Sequence, residues 1–174
     1  MNTFARISLA ALLCVGLAAC ASKQEVKPQA PTPAPQAPAP APVTQPVSNG
    51  KFTPADLETN ACLMKRKIFF AFNRANIESQ YDDIVACHAK YLVDNPGARV
   101  TLQGNTDPRG SREYNLGLGE RRANSVERAM EALGANADQF TVVSYGKERL
   151  VCNEMTHACW AKDRRVDIVY TKTE

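Results

Sequence analysis

The spacing of apolar residues changes along this chain and divides it into three parts. A short unbroken apolar run lies near the N-terminus, a stretch without any apolar period follows, and regular periods begin near residue 51. In the third part, alternating or continuous apolar residues predict strands, and apolar residues three and four apart predict helices. We expect strands over 68–72, 100–103, 140–145 and 166–170, and helices over 54–65, 79–94 and 111–133.

These elements follow the order β-α-β-α-β-β and contain two strand–helix–strand units. The order predicts an α/β fold, an α+β sandwich in which helices pack against one sheet of mixed direction. We expect this domain to occupy residues 51–174. Residues 147–161 are expected to form a loop with at most a short helical turn.

Residues 1–19 have the features of a secretion signal. Arg6 precedes an apolar run from Ile7 to Ala18, which is too short for a permanent membrane span. The run ends in Leu-Ala-Ala-Cys, which resembles a lipobox and predicts that Cys20 is acylated; an ordinary cleaved signal that ends in Cys is the alternative. The second residue after Cys20 is Ser22, not the aspartate of an inner-membrane retention signal, which favours the outer membrane.

Residues 20–50 are predicted to be a linker. Eight of the chain's eleven prolines lie between Pro28 and Pro46, mixed with Ala, Gln and Thr. Such a composition cannot bury enough apolar surface to fold, and it favours an extended chain. Roughly thirty residues at about 3.1 Å each reach no more than about 90 Å, which suits a spacer between a membrane and a nearby structure. A proline-rich docking site for a partner domain is the alternative.

Charge and histidine content argue against two classes of function. The formal net charge is only +3, and basic residues alternate with acidic ones, so no basic stripe for nucleic acid forms. The two histidines do not lie near an obvious serine or cysteine nucleophile. We therefore expect a protein that is not an enzyme and has no cofactor, with a cell-wall hydrolase as the alternative.

Four cysteines remain in the predicted domain, namely Cys62, Cys87, Cys152 and Cys159. An even number in an oxidising compartment predicts two disulfides, for which three connectivities are possible. A metal site is the alternative, but the spacings of these cysteines and the two histidines match no usual zinc pattern.

The stretch Arg99–Met130 contains the residues with the most specific chemistry. It joins a predicted strand to the longest predicted helix through a loop that carries Asp107. Asn115 and Arg122 lie two turns apart and therefore share a face of that helix. A carboxylate and a guanidinium on neighbouring rigid elements could bind the ammonium and carboxylate of a zwitterion. Alternatively, Asp107 and Arg122 pair with each other and only hold loop and helix together.

Separated motifs of this chain resemble those of the OmpA-like peptidoglycan-binding domains, in the same order, from about Ile68 to Tyr170. The motifs are Thr-Asp-Pro-Arg-Gly at 106–110, Glu-Arg-Arg-Ala at 120–123, Val-Ser-Tyr-Gly-Lys-Glu at 143–148 and Asp-Arg-Arg-Val at 163–166. One departure is Asn105, where the family usually carries a ring before Thr-Asp.

The resemblance implies that the ligand is the meso-diaminopimelate residue of the peptidoglycan stem peptide. By position in the motifs, Asp107 holds its ammonium and Arg122 holds its carboxylate. The expected additional ligand-binding residues are Thr106, Asn115, Phe72, Asn73 and Arg165, where Arg165 is preferred to its neighbour at 164.

The resemblance also implies disulfide pairing and partners. Cys152–Cys159 is similar to the loop disulfide of several OmpA-like domains, which leaves Cys62 to pair with Cys87. The expected protein is a lipid-anchored tether between the outer membrane and the cell wall, facing the periplasm. A further implied partner is the periplasmic propeller protein of the Tol system, which acts in envelope integrity and cell division; an OmpA-like lipoprotein outside that system is the alternative.

Overall fold

The computed structural model describes residues 50–174. The predicted signal peptide (1–19), Cys20 and residues 20–49 of the predicted linker lie outside this range. In chain order the elements are α1 (Asp56–Thr59), β1 (Lys67–Phe69), a 3₁₀ turn (Ser79–Tyr81), α2 (Asp82–Asp94), β2 (Arg99–Asn105), α3 (Arg112–Ala132), a 3₁₀ turn (Ala137–Gln139), β3 (Phe140–Gly146), α4 (His157–Asp163) and β4 (Arg165–Lys172).

The four strands form one mixed sheet in the order β1-β4-β2-β3. Strand β4 is antiparallel to both β1 and β2, whereas β2 and β3 are parallel, as expected for strands joined through a helix. In register, Leu102 of β2 lies opposite Val142 on one side and Ile168 on the other. The predicted α+β sandwich with a mixed sheet is confirmed.

One face of the sheet packs against α2 and α3 and forms the core. Along β2, buried Val100 and Leu102 alternate with the partly exposed Thr101 and Gln103, the pattern of a strand with one covered face. The helices contribute buried side chains at helical spacing. They are Val85, Ala89, Tyr91 and Leu92 from α2, and Ala123, Val126 and Met130 from α3.

Helix α3 crosses the end of β2 at a glycine pair. A Cβ on Gly104 would overlap the backbone carbonyl of Gly119, and a Cβ on Gly119 would lie 2.9 Å from the carbonyl oxygen of Gly104. Only glycine at both positions permits this close approach of two backbones. The contact fixes the first half of α3 beside the loop that follows β2.

Two elements at the N-terminal side are shorter than predicted. Helix α1 covers Asp56–Thr59 instead of 54–65, because Asn60 is extended and its Oδ1 accepts a hydrogen bond from the backbone N of Cys62 (3.0 Å), a local bond that competes with helix. Strand β1 covers Lys67–Phe69 instead of 68–72, since β4 pairs with only these three residues.

The segment expected to be a loop over 147–161 contains the start of a seven-residue helix, α4. Thr156 caps it by accepting a hydrogen bond from the backbone N of Cys159 (3.2 Å). Both expected disulfides are present, Cys152–Cys159 beside α4 and Cys62–Cys87 on the N-terminal side. Over residues 50–174, no helix has the length and apolar character needed to cross a bilayer.

Candidate binding site

A pocket of about 240 Å³ opens at the C-terminal end of β2, beside the loop that carries Asp107. Its walls come from the loop after β1, the loop between β2 and α3, and the first three turns of α3. Six of the seven predicted ligand-binding residues line it, and Arg165 does not. The lining residues are Phe72, Asn73, Thr106, Asp107, Arg109, Gly110, Tyr114, Asn115, Leu118 and Arg122.

Asp107 is nearly buried, with 4% of its surface exposed, and it is held by two arginines. The Arg109 guanidinium donates to both carboxylate oxygens, from Nε to Oδ1 (3.1 Å) and from Nη2 to Oδ2 (2.7 Å), and the Arg109 backbone N also donates to Oδ1 (3.2 Å). Arg164 Nη1 lies 3.3 Å from Oδ2. Burial alone would raise the pKa of Asp107, but these hydrogen bonds and the charge of Arg109 lower it below the usual value, so the group is a carboxylate at neutral pH.

Arg122 is fully buried, and its guanidinium is bound by backbone carbonyls. Nε donates to the Arg74 carbonyl (2.9 Å), Nη1 to the Asn105 carbonyl (2.8 Å) and Nη2 to the Ala71 carbonyl (3.1 Å). Burial lowers the pKa of Arg122 to about 10, and the positive charge of Arg164 acts in the same direction. The group therefore keeps its charge at neutral pH, and the loop after β1 and the end of β2 fix its position.

Asp107 and Arg122 do not pair with each other. Over residues 50–174, no hydrogen bond or ion pair joins the two side chains, although both line the pocket. Asp107 instead pairs with Arg109 and Arg164. The structure thus rejects the alternative in which a direct Asp107–Arg122 bond only holds loop to helix.

Thr106 and Asn115 hold the loop that carries Asp107. The Thr106 backbone N donates to the Gly146 carbonyl (2.8 Å), which ties the loop to the end of β3. Asn115 Nδ2 donates to the carbonyls of Arg109 (2.8 Å) and Ser111 (2.9 Å). Ser111 is the N-cap of α3, and its side chain accepts a hydrogen bond from the Tyr114 backbone N. The loop conformation therefore follows from hydrogen bonds that its own flanking residues make.

Phe72 and Asn73 form the opposite rim of the pocket. Phe72 is 58% exposed, which is unusual for a phenylalanine of a folded domain. Asn73 has a positive φ of 55°, and its Oδ1 accepts a hydrogen bond from the hydroxyl of Tyr114 on α3. Asparagine tolerates this left-handed conformation better than most residues, so its identity suits the turn.

Arg165 is placed away from the pocket, and this corrects the expectation that it lies in the cleft. Its Nε donates to Asp167 (3.0 Å), and its Nη1 lies 3.4 Å from the Asp163 carbonyl. Its neighbour Arg164 is the one that reaches Asp107, and it also donates from Nε to the Phe70 carbonyl (2.9 Å). Successive side chains leave a strand on opposite faces, so only one of the two arginines can reach the cleft.

Arg109 was not among the expected ligand-binding residues, yet it lines the pocket and is a direct partner of Asp107. Its guanidinium lies between two aromatic rings, with its central carbon 4.0 Å from the Phe72 ring centre and 4.1 Å from that of Trp160. Its position two residues after Asp107 on the same loop is the signal that could have indicated the contact. Trp160 lies on α4, and no spacing in the sequence relates it to this loop.

Asn105, the departure from the family pattern, does not enter the pocket. Its side chain is buried and donates from Nδ2 to the Gln103 carbonyl (2.9 Å) and to Asp167 (3.2 Å). Only its backbone carbonyl is linked to the pocket, through Arg122. Phe72 and Tyr114 supply the aromatic surface of the pocket instead.

Comparison with known proteins agrees with this fold and motif pattern. Residues 69–164 match the OmpA family. A peptidoglycan-associated lipoprotein of Legionella pneumophila is 41% identical over 120 residues, which is 69% of this chain and 68% of that protein.

Solved structures are similar as well. The crystal structure of the peptidoglycan-associated lipoprotein of Burkholderia pseudomallei is 41% identical with a TM-score of 0.65, covering 67% of this chain and 98% of that one. The C-terminal domain of Helicobacter pylori MotB, at 21% identity and a TM-score of 0.54, covers 61% of this chain and 84% of that one, and shares the fold.

Proposed function

The chain belongs to the OmpA family, and from that premise we propose that it is a lipid-anchored, non-catalytic protein that binds peptidoglycan. Its ligand is the meso-diaminopimelate of the stem peptide, whose ammonium meets Asp107 and whose carboxylate meets Arg122. The similar proteins from L. pneumophila and B. pseudomallei are named peptidoglycan-associated lipoproteins, which supports the ligand class and the anchor.

The buried guanidinium of Arg122 is the observation that carries this proposal. Among residues 50–174, three of its five N–H groups have carbonyl acceptors, and no carboxylate lies within ion-pair distance. A buried charge without an opposite charge is costly, and it is typical of a site that awaits an anionic ligand. The remaining N–H groups and the planar fork suit a carboxylate.

The chain enters the domain from the linker at the end opposite the pocket. The Phe52 backbone N donates to Asp94 (2.8 Å) and its carbonyl accepts from Asn95 (3.0 Å), beside the start of β2. The pocket lies beyond the other end of β2, about 20 Å away for a strand of this length. With Cys20 acylated in the outer membrane and residues 20–50 as a spacer, the domain would reach the cell wall with its pocket accessible.

Co-sedimentation of the purified full chain with cell-wall sacculi tests the proposal. Wild type should sediment with sacculi without releasing soluble fragments, and free meso-diaminopimelate should compete. Asp107→Ala and Arg122→Ala should each abolish co-sedimentation, since truncating one member of a desolvated ionic contact typically costs roughly 2–5 kcal/mol. Release of fragments by wild type would indicate a hydrolase instead.

Two further variants keep this test informative. Asp107→Asn keeps the shape of the side chain and removes its negative charge. If Arg122→Ala unfolds, this variant still shows whether the charge at position 107 is needed for binding. Arg121→Ala is the matched control, because Arg121 is exposed on the next position of α3 and lies outside the pocket. If well-folded Asp107→Asn and Arg122→Ala bind like wild type, the site is misassigned.

The proposed protein partner is the periplasmic propeller of the Tol system, by resemblance to the OmpA-like domains. Co-purification of that propeller with the anchored chain, reduced by Asp107→Asn, would support a shared binding face. Its absence at native expression levels would favour an OmpA-like lipoprotein outside the Tol system.

A further inference from the structure

The Asp107 carboxylate is fully occupied before any ligand arrives. A carboxylate offers about four lone-pair positions. Oδ1 accepts from the backbone N and Nε of Arg109, and Oδ2 accepts from Arg109 Nη2 and Arg164 Nη1. A ligand ammonium can bind Asp107 only by displacing one of these donors.

Arg109 is the donor that a ligand would displace. It lines the pocket, whereas Arg164 reaches Asp107 from the side of β4 and does not line the pocket. The side chain of Arg109 is 31% exposed, compared with 14% for the side chain of Arg164. The ammonium of a ligand therefore replaces the side chain of Arg109 on the carboxylate.

The displaced guanidinium would stay beside the pocket. It lies between the rings of Phe72 and Trp160 at 4.0 and 4.1 Å, and this double cation–π contact favours a cation that remains between them. Trp160 is in turn fixed by α4, which the Cys152–Cys159 disulfide joins to the preceding loop. Once Arg109 has left Asp107, it lacks a carboxylate partner.

The charges around the pocket do not balance for a neutral zwitterion. Three guanidinium groups, Arg109, Arg122 and Arg164, surround the single carboxylate of Asp107, a net charge of +2. Of the described residues that line the pocket, only Asp107 is acidic. The nearby carboxylate of Glu148 is already paired with Arg112 (3.2 Å). A ligand that carries negative charge beyond its zwitterionic centre would balance this excess.

We infer that Arg109 is a specificity-determining residue that takes a second carboxylate of the ligand. This inference rests on the proposed function and narrows it: the preferred stem peptide carries a free carboxylate besides the one on its zwitterionic centre. Amidation of those other carboxylates would leave the displaced Arg109 guanidinium without a partner, and binding would weaken.

Isothermal titration calorimetry with two tripeptides tests this on the full chain in detergent. One is L-Ala-γ-D-Glu-meso-diaminopimelate, and the other has every carboxylate outside the zwitterionic centre amidated. Wild type should bind the amidated form about tenfold or more weakly, because a charge-assisted hydrogen bond is lost. Arg109→Gln should bind the two forms with nearly equal affinity.

Arg112→Gln is the control, since it removes the same charge from the exposed side of the neighbouring first turn of α3. It should keep the wild-type ratio, which separates a specific contact from a general effect of net charge. Equal binding of both tripeptides by wild type, or an unchanged ratio in Arg109→Gln, would overturn the inference while leaving the proposed function intact. Failure of wild type to bind either tripeptide would instead count against the proposed function itself.

Discussion

The two ends of strand β2 differ in whether they bury charged groups. At the end where β2 starts, here the terminal end (residues 52, 91–98 and 139), the buried polar groups are neutral. Gln139 Nε2 reaches the carbonyls of Leu92 (3.0 Å), Asn95 (3.1 Å) and Ala98 (3.3 Å), and the Tyr91 hydroxyl donates to the Thr173 carbonyl (2.7 Å).

At the other end, here the pocket end (residues 71–74, 105–111, 122 and 163–165), charged groups are buried together with the neutral Asn105 and Thr106. Asp107, Arg122, Asp163 and Arg165 are all buried there. Neutral groups that are satisfied by hydrogen bonds hold a fold at small net cost, whereas buried charges carry a desolvation penalty. The difference agrees with the proposed function, in which the terminal end serves stability and the costly charges of the pocket end bind the ligand.

The largest effect should come from Gly104, where the pocket end depends on close backbone contact. Gly104→Ala would place a Cβ on the Gly119 carbonyl. Because that carbonyl belongs to the backbone of a packed helix and cannot move aside, we expect loss of cooperative folding. Circular dichroism with thermal melting would show it. Gly117→Ala is the control, since its Cβ meets only the guanidine of Arg121 (3.3 Å), and the helix should gain about 0.5–1 kcal/mol.

The next effect concerns acid, and His88 and Asp107 contribute to it in different pH windows. Burial of His88 lowers its pKa to about 4; the ring lies between the Tyr170 hydroxyl (2.8 Å) and the Lys65 carbonyl (3.2 Å). Between pH 6.5 and 4 the unfolded chain binds a proton that the folded protein does not. The free energy of unfolding should therefore decrease as pH falls through this window, by roughly 3 kcal/mol in total.

Asp107 acts in the same direction at lower pH, since its folded pKa is also depressed. Its stabilising contribution is present above about pH 3.8 and is lost only as pH falls through the lower folded value. Urea titrations at pH 7, 6, 5 and 4.5 would measure the dependence. His88→Gln should flatten it, whereas the exposed His157→Gln should not; a wild-type protein equally stable at pH 6.5 and 4.5 would contradict the prediction.

A smaller effect is expected for Gln139, at the terminal end. Gln139→Ala removes one amide that links three buried carbonyls, so the free energy of unfolding should fall by roughly 1–3 kcal/mol. Because the pocket end is untouched, the affinity of the folded protein for sacculi should stay at the wild-type value. Gln80→Ala, at an exposed position, is the control for stability. A loss of affinity in folded Gln139→Ala would mean that the two ends are coupled.

The local spacing of apolar residues predicted the position of an element correctly where that position depends on the element's own sequence. The strands β2 and β4 and the long helix α3 all lie close to where they were expected. The same spacing did not predict the length of an element where that length depends on contact with a neighbouring element. Strand β1 ends where β4 stops pairing, and α4 is stabilised by a Thr156 cap within a segment of low apolar content.

For the pocket, resemblance and residue type together indicated six of the seven expected residues that line it. Arg165 was wrongly favoured over Arg164, because alternation along a strand says that one of two neighbours faces a cleft but not which one. The contact between Arg109 and Trp160 was not indicated, for another reason. Trp160 lies on an element 51 residues further along the chain, and only the packing of α4 brings its ring to Arg109.

By itself, the sequence determined the period of each main strand and helix, the end of α3 and the residue types of a charged pocket. These depend on backbone preferences and on burial patterns that act over a few residues. Only the tertiary structure decided which charges pair. Asp107 and Arg122 face the same space without bonding, because two other arginines reach the carboxylate and three carbonyls surround the guanidinium. Ion pairing depends on distances of a few ångströms between distant parts of the chain, and such distances are set only when the chain packs.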